Sequence, residues 1–555
     1  MKLLSLHLKD YRVLHGFTLN LEEQRNALLQ LNNTQYTLDL IVGVNGTGKS
    51  TLLRAIAEIF RRLEAETDFS FGFEIDYELM VAQQSTRILI SNLSVEQQPL
   101  SEKQFRFRVG ETTTFPSRID KDYLPPLVVA LTTGSEREWE LQDEQIRTRV
   151  REDAVTVIPP QPDSPTFIEE QTDWFLSELP GDPIEELQET VATQDSEAVT
   201  EASQTLQTDY FLFVKEKHLP LTILCGLLVD MVNTREVQAL NQQSTTNTPS
   251  SSLRKVLEAC NIKALHGFSL KFRMNRDVLS TSDQTFIHDL DMLCDYHSIQ
   301  TGSDYLLVFN LAELHPEDLI KIRGTGLELF RTLVSLFDPE DTNEPILQEV
   351  NLFLERQYNK TWRDQQNGQM VAEEQPPLHL LTWFSDGERS FLGRLCLLSL
   401  LGSGKSEALI LLDEPEVHFN DYWKRQLVLM IDRALEQQNS HVLMTTHSSI
   451  TLSDVLNRNI KLLRRDKAHT QYAITPTLKT LGTDPSDIMV YIFEAENAVG
   501  AQGTEIIERE LRQIARYETV ETQRQALQEL LDQVGPSDLR FLIRRQLHAL
   551  ENDRR

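Results

Sequence analysis

A chain of 555 residues exceeds what one hydrophobic core ordinarily serves, so two or three domains are expected. Its formal charge of −30 excludes a protein whose whole surface coats nucleic acid, because such binding rests on Lys and Arg neutralising phosphates; a local basic groove stays compatible with it. The longest apolar stretches, 219–229 and 395–401, are shorter than the ~20 residues that span a bilayer, and Cys225, Cys260, Cys294 and Cys396 form no C-x-x-C pair, so the expectation is a soluble, untargeted cytoplasmic protein with reduced thiols, no disulfide framework and no zinc hook.

In chain order, 1–13 alternates like a strand and 17–21 supplies a partner. The largely apolar run 38–42 predicts a strand, and 50–60 has helical periodicity. Between them lies Gly43-Val44-Asn45-Gly46-Thr47-Gly48-Lys49-Ser50-Thr51, in the order strand, glycine loop, helix. Such a loop wraps its backbone N–H groups around a β-phosphate at a helix N-terminus, with Lys49 reaching the β- and γ-phosphates and Ser50 offering its hydroxyl to Mg²⁺. Three short strand candidates, 69–81, 87–93 and 104–109, suggest an antiparallel appendage beside the nucleotide, and 127–131 leads into Thr132-Thr133-Gly134.

Residues 136–204 carry nineteen Asp or Glu against four Arg, half of the net charge, and read as an acidic linker or loop. From 205 to 375 the pattern is mixed and mainly helical: 210–233 predicts a helix, 241–252 a polar loop and 305–310 a strand. No heptad repeat persists, so a compact insertion is expected rather than a long coiled-coil arm.

After Pro376 the order is strand 378–384, helix 388–401, strand 408–413, helix 422–437 and strand 441–446, an alternation that implies a parallel sheet. Residues 459–463 and 471–474 predict a closing hairpin, and 505–554 a helical tail. Asp413 ends an apolar strand and suits Mg²⁺ binding opposite Ser50; the adjacent Glu414 suits a general base or water polariser. Ser385-Asp386-Gly387-Glu388 opens a helix, where Ser385 can cap it and the Gly387 amide can face an anion. His447, just past a strand end, is placed to bond a γ-phosphate or its attacking water. Gly402-Ser403-Gly404-Lys405-Ser406 imitates the phosphate loop, but Ser399 replaces its first glycine and a strand follows instead of a helix; a flexible connection is expected there.

This ordered set resembles the ATP-binding-cassette ATPases of the soluble branch that includes RecF, SMC and OLD-like proteins, over roughly 1–60 and 380–480. The resemblance implies an α/β ABC-type P-loop ATPase head with an N-terminal antiparallel β subdomain, a large, mostly helical insertion and a helical C-terminal tail. Its segments would be 1–135 and 376–480 for the two parts of the head, 136–204 for the acidic linker, 205–375 for the insertion and 481–555 for the appendage. It also implies Walker A at Gly43–Thr51, a signature at Ser385–Glu388, Walker B at Asp413-Glu414, a D-loop at Glu416–Asn420 and a switch histidine at His447. ATP and Mg²⁺ would be the cofactors. Asp386 and Asn420 depart from the family pattern, and no glutamine loop is identifiable; Thr132-Thr133-Gly134 stands in its place.

The resemblance further implies two heads meeting head to tail, Ser385 and Gly387 of one chain completing the ATP held at Lys49 of another, as a homodimer or higher homo-oligomer. Among such proteins the chain is most similar to antiphage or restriction-associated ATPases of the Septu and PARIS type. It would then sense DNA or a phage protein and control a separate effector such as a nuclease. A DNA-repair or chromosome-maintenance ATPase is the second reading, with Lys461, Arg464, Arg465, Lys467, Arg544 and Arg545 as candidate phosphate contacts. A third is an OLD-like nuclease using His288, Asp289, Asp291, Cys294, Asp295 and His297 as metal ligands. A transporter ATPase ranks last.

Overall fold

The computed structural model describes residues 1–22, 36–93, 104–134, 136–139, 210–241, 252–273, 279–299, 304–339, 344–356, 361–363, 370–372, 378–403, 407–436, 438–467, 470–495 and 499–552. The acidic segment beyond residue 139, the polar loop 242–251 and the imitation loop at 404–406 lie outside them.

An antiparallel sheet opens the chain: β1 (Lys2–Tyr11), β2 (Leu14–Asn20), β4 (Phe73–Val81), β5 (Gln84–Ser91), β6 (Arg106–Val109) and β7 (Thr112–Thr114), in the order β2-β1-β4-β5-β6-β7. Alternation along β2 buries Leu14, Phe17 and Leu19 and exposes His15 and Thr18, the pattern of a sheet with one covered face.

The second sheet has seven strands. β3 (Thr37–Val42), β8 (Leu127–Thr132), β9 (Phe211–Val214), β17 (Ala408–Asp413), β18 (His441–Thr445), β19 (Ile460–Arg465) and β20 (Gln471–Ile474) lie in the order β20-β19-β3-β18-β17-β8-β9. All pairings are parallel except β19 with β20. Strands β3, β8, β17 and β18 are buried at every residue, as parallel strands covered on both faces must be. Side-chain parity sorts them into two cores: Ile41, Leu409, Leu411 and Leu443 face helix α1 (Lys49–Glu64) and the N-terminal sheet, while Leu40, Ile410, Leu412 and Met444 face the helices on the other side.

Helix α1 is therefore wedged between two sheets, and even its charged residues are buried. They stay paired: Arg62 Nε donates to Glu58 at 2.7 Å, the Tyr11 hydroxyl donates to Glu58 at 2.8 Å, and Lys121 Nζ donates to Glu64 at 2.8 Å. Burying such charges without partners would cost several kcal/mol each.

The third layer is an antiparallel sheet, β11-β12-β10-β13-β16, made of β10 (Ile262–Arg273), β11 (Tyr296–Ile299), β12 (Asp304–Asn310), β13 (Leu347–Arg356) and β16 (Leu378–Leu380). A separate hairpin joins β14 (Thr361–Arg363) to β15 (Met370–Ala372). Helices α2 (Leu219–Asn241), α3 (Ser252–Ala259), α4 (Thr281–Asp291), α5 (Pro316–Lys321), α6 (Gly326–Phe337), α7 (Asp386–Ser403) and α8 (Asp421–Leu435) share its core with the far face of the parallel sheet. The short α9 (Ser449–Leu452) and α10 (Pro485–Tyr491) follow. Then α11 (Ala501–Ile514), α12 (Val520–Gln533) and α13 (Asp538–Asn552) form a helical end with its own small core of Ile514, Leu527, Leu531 and Ile543.

Two sequence expectations are corrected. The helix expected over 210–233 begins only at Leu219; Phe211–Val214 is strand β9, the edge of the parallel sheet. Its aromatic and β-branched residues favour a pleated strand, and Pro220 suits a helix's first turn. The strand expected over 378–384 stops at Leu380, pairs with β13 in the antiparallel sheet, and gives way to a 3₁₀ turn at Leu381–Trp383. That turn lets Ser385 become the cap of α7.

Candidate functional site

The phosphate loop joins β3 to α1. Gly48 caps the helix at φ 93°, a conformation that a side chain would strain. At Gly43 a Cβ would sit 2.6 Å from the Leu463 carbonyl oxygen, so only glycine lets β19 lie this close. Arg465 Nη2, from the end of β19, donates to the Gly46 carbonyl at 2.9 Å, and the Thr47 hydroxyl donates to the Val44 carbonyl at 2.9 Å. Lys49 Nζ folds over the loop, donating to the carbonyls of Gly43 at 3.1 Å and Val44 at 3.4 Å. Burial pulls the Lys49 ammonium below its ordinary range, opposed by the carboxylates of Glu414 and Asp413. Asn45 is exposed at the loop's tip, and Thr51 accepts from Arg54 at 3.5 Å one turn into the helix.

Opposite Ser50 the Asp413 carboxylate is held by three hydroxyls. Ser50 Oγ donates to Oδ1 at 2.9 Å, Thr445 Oγ1 to Oδ1 at 2.6 Å and Thr132 Oγ1 to Oδ2 at 3.2 Å. Strand register causes this: Asp413 is the direct partner of Thr445 on β18 and of Thr132 on β8. Asp413 is almost fully buried, and charge-assisted bonds of this kind offset the cost of holding a carboxylate there. The oxygens of Ser50, Asp413, Thr132 and Thr445 form a hard-donor set suited to Mg²⁺.

Glu414 turns away from the strand at φ 51°, in the left-handed region that a non-glycine residue occupies only when its surroundings hold it there. Its N–H donates to the carbonyl and hydroxyl oxygens of Thr445 at 3.2 and 3.0 Å, and the Thr133 hydroxyl donates to its carbonyl at 2.9 Å. The carboxylate reaches His447, with Oε1 3.2 Å from Nε2 and both side chains about one-third exposed. That hydrogen bond holds the Glu414 carboxyl below the usual range. The His447 ring stacks at 6.0 Å on Phe493.

Glu416, two residues on, is buried. One oxygen accepts from the Thr446 hydroxyl and from the His447 N–H at 3.1 Å, while the other has no partner among the described residues. Burial pushes its carboxyl up. Arg394 from α7 donates to the carbonyls of Pro415 and Val417, clamping this segment against the helix. Asn420 caps α8 by accepting from the Trp423 N–H at 2.9 Å.

Ser385 and Gly387 lie at the start of α7. Ser385 accepts from the Glu388 N–H at 3.3 Å, and Glu388 Oε2 accepts the Ser385 N–H at 3.0 Å, a reciprocal capping box. Ser385 and Asp386 are exposed, and a Cβ on Gly387 would approach the His418 carbonyl to 2.7 Å. The structure thus brings Lys49, Ser50, Asp413, Glu414 and His447 together, whereas Ser385 bonds within its own helix turn, to Glu388.

Sequence reasoning left out the parts of Thr132, Thr445, Glu416 and Arg465. Paired threonines at two strand ends, 132–133 and 445–446, were the available signal. Of the candidate nucleic-acid contacts, Lys461 is buried and donates to Thr475, Arg464 pairs with Glu494 at 2.9 Å, and Arg465 serves the phosphate loop. Of the candidate nuclease ligands, Asp291, Cys294 and His297 converge, whereas Asp295 accepts the Asn310 N–H. No helix among the described residues is long and apolar enough to cross a membrane.

Two family models match, in separate parts of the chain. Residues 1–105 match a model described as "AAA domain", and residues 332–454 one described as "AAA domain, putative AbiEii toxin, Type IV TA system". No curated protein matches the chain. Solved structures similar to it include the SMC head domain from Thermotoga maritima, at 9% identity and a TM-score of 0.30, covering 86% of this chain and 100% of that one. Another is the Smc head domain with an extended coiled coil bound to the C-terminal domain of ScpA, derived from Pyrococcus furiosus, at 11% identity and a TM-score of 0.28, covering 85% and 96%. The first family match contains the phosphate loop, and the second contains Asp413, Glu414 and His447.

Proposed function

We propose that the chain binds and hydrolyses ATP with Mg²⁺, closes head to tail on a second copy when ATP is bound, and serves as the sensing and regulatory subunit of a bacterial antiphage system that controls a separate effector. The observation that carries the reading is the Ser50–Asp413 contact beside the Glu414–His447 pair. Mg²⁺ would be held by Ser50 and Asp413 and would neutralise charge on the β- and γ-phosphates. Lys49 turns from its own loop's carbonyls to those phosphates, Glu414 takes the proton of the attacking water, and His447 orients Glu414 or the γ-phosphate. Phosphoryl transfer asks for little beyond such positioning and charge stabilisation.

Ser385 and Gly387 carry no such role within one chain, and the exposure of Ser385 at the N-terminus of α7 suits contact with phosphate bound to another copy. The defence assignment is supported by the toxin and antitoxin-system wording of the second family description. The trigger would be DNA or a phage protein, and the effector a nuclease or similar toxin. In the test, Glu414→Gln retains ATP, loses hydrolysis by roughly 10²–10⁴-fold and accumulates a closed assembly on size-exclusion chromatography, whereas Lys49→Ala binds no ATP and stays open. Undiminished hydrolysis by Glu414→Gln would remove Glu414 as the base. An elution position unmoved by ATP would remove the head-to-tail closure.

A further inference from the structure

Far along the chain from the phosphate loop, helix α4 ends at Asp291, a tight turn carries Cys294, and strand β11 carries His297. The turn is closed by backbone bonds from the Cys294 N–H to the Asp291 carbonyl at 3.3 Å and from the Asp295 N–H to the Val308 carbonyl at 3.0 Å. Three different donor types meet there, a carboxylate oxygen, a thiol sulfur and an imidazole nitrogen, all within 4.8 Å of one another. Asp291 Oδ1 lies 3.0 Å from His297 Nδ1 and 3.6 Å from Cys294 Sγ. A tetrahedral ion with bonds of about 2.0–2.3 Å holds its ligand atoms roughly 3.3–3.7 Å apart, so these separations are close to those of a coordination shell. We propose that Asp291, Cys294 and His297 bind a divalent transition-metal ion, zinc foremost, with the fourth position open on the exposed side of His297.

The donor chemistry selects the ion. A sulfur with an imidazole disfavours magnesium and calcium, which take oxygen ligands, and suits zinc or cobalt. Tyr305 donates its hydroxyl to Asp291 at 2.6 Å and orients the carboxylate from outside the shell. Binding replaces the Cys294 thiol proton by the metal and releases that proton to solvent. The ion would tie the end of α4 to β11, the edge strand of the insertion's sheet. It is independent of the nucleotide site, whose donors are all oxygens.

The test is cobalt titration of the full chain, stripped of metal with chelator. Thiolate-to-cobalt charge-transfer absorption is expected to saturate stoichiometrically and to be displaced by zinc; Mg²⁺ sites are silent in this band because they lack sulfur. Cys294→Ala should abolish the band, the exposed His297→Ala should weaken binding while the fold persists, and Tyr305→Phe should lower affinity roughly 10–100-fold. A wild-type chain with no charge-transfer band would overturn the assignment, and so would a band that survives Cys294→Ala.

Discussion

Replacing Thr445 by Val isolates what holds the Asp413 carboxylate in place. The two side chains have nearly the same shape, so a fully buried position neither gains a cavity nor becomes overpacked. What disappears is a hydroxyl that donates to Asp413 Oδ1 at 2.6 Å and accepts the Glu414 N–H at 3.0 Å. A hydrogen bond to a charged group contributes about 1.5–3 kcal/mol, and a neutral one about 0.5–1.5 kcal/mol. The second loss falls at the low end, because the Glu414 N–H keeps the Thr445 carbonyl at 3.2 Å. The total is about 2–4 kcal/mol, and Asp413 retains only Ser50 and Thr132. Expressed in the transition state, this corresponds to a fall in kcat/KM of roughly thirty-fold to several-hundred-fold. Steady-state ATP turnover across a Mg²⁺ titration is the assay, with Thr445→Ser, which restores the hydroxyl, expected within a few-fold of wild type. Wild-type turnover and wild-type Mg²⁺ dependence in Thr445→Val would refute the idea that this hydroxyl positions Asp413.

Two other expectations concern pH. The His447 hydrogen bond is the leading cause of the depressed Glu414 carboxyl, so Glu414 stays ionised, and any activity it supports persists, further into acid than for an ordinary glutamate. His447→Ala should move the acid limb of the kcat profile upward, and an acid limb that does not move would show that the pair is uncoupled. The associated stability is present above the unfolded carboxyl value and lost as pH falls through the folded one; with Glu414 about one-third exposed, solvent screening makes it small. Glu416 behaves oppositely. Its carboxyl is raised by burial, so its contribution is complete below the unfolded value and declines as pH rises through the folded one, by about 1.4 kcal/mol per unit of difference between them. Relative to wild type, Glu416→Gln should therefore gain thermal stability as pH rises above the unfolded carboxyl value of about 4; a difference that is flat with pH would contradict the burial argument.

Much of the candidate site is legible in the chain because its information is local. Gly43, Gly46 and Gly48 dictate a backbone shape, Lys49 and Ser50 follow on the same turn of helix, and Asp413-Glu414 ends a run too apolar to lie anywhere but inside a sheet. The antiparallel N-terminal lobe, the parallel core and the helical end follow from periodicity, since alternation of two and of 3.6 residues separates strand from helix. Periodicity failed at Phe211–Val214, which is uniformly apolar and too short for alternation to separate helix from strand; its aromatic and β-branched residues favour a strand and the open edge beside β8 receives it.

Tertiary structure alone decided which side chains share the Asp413 carboxylate. Thr132 and Thr445 are 281 and 32 residues away from it and meet it through the register of β8, β17 and β18, which no local motif encodes. The same holds for Glu416 beneath His447 and for Arg465 on the Gly46 carbonyl. Composition and motif determined that this chain carries a phosphate loop and a pair of carboxylates to face it, because backbone conformation and burial are written in neighbouring residues. Strand order determined how those carboxylates are held, because long-range contacts exist only once the sheet has formed.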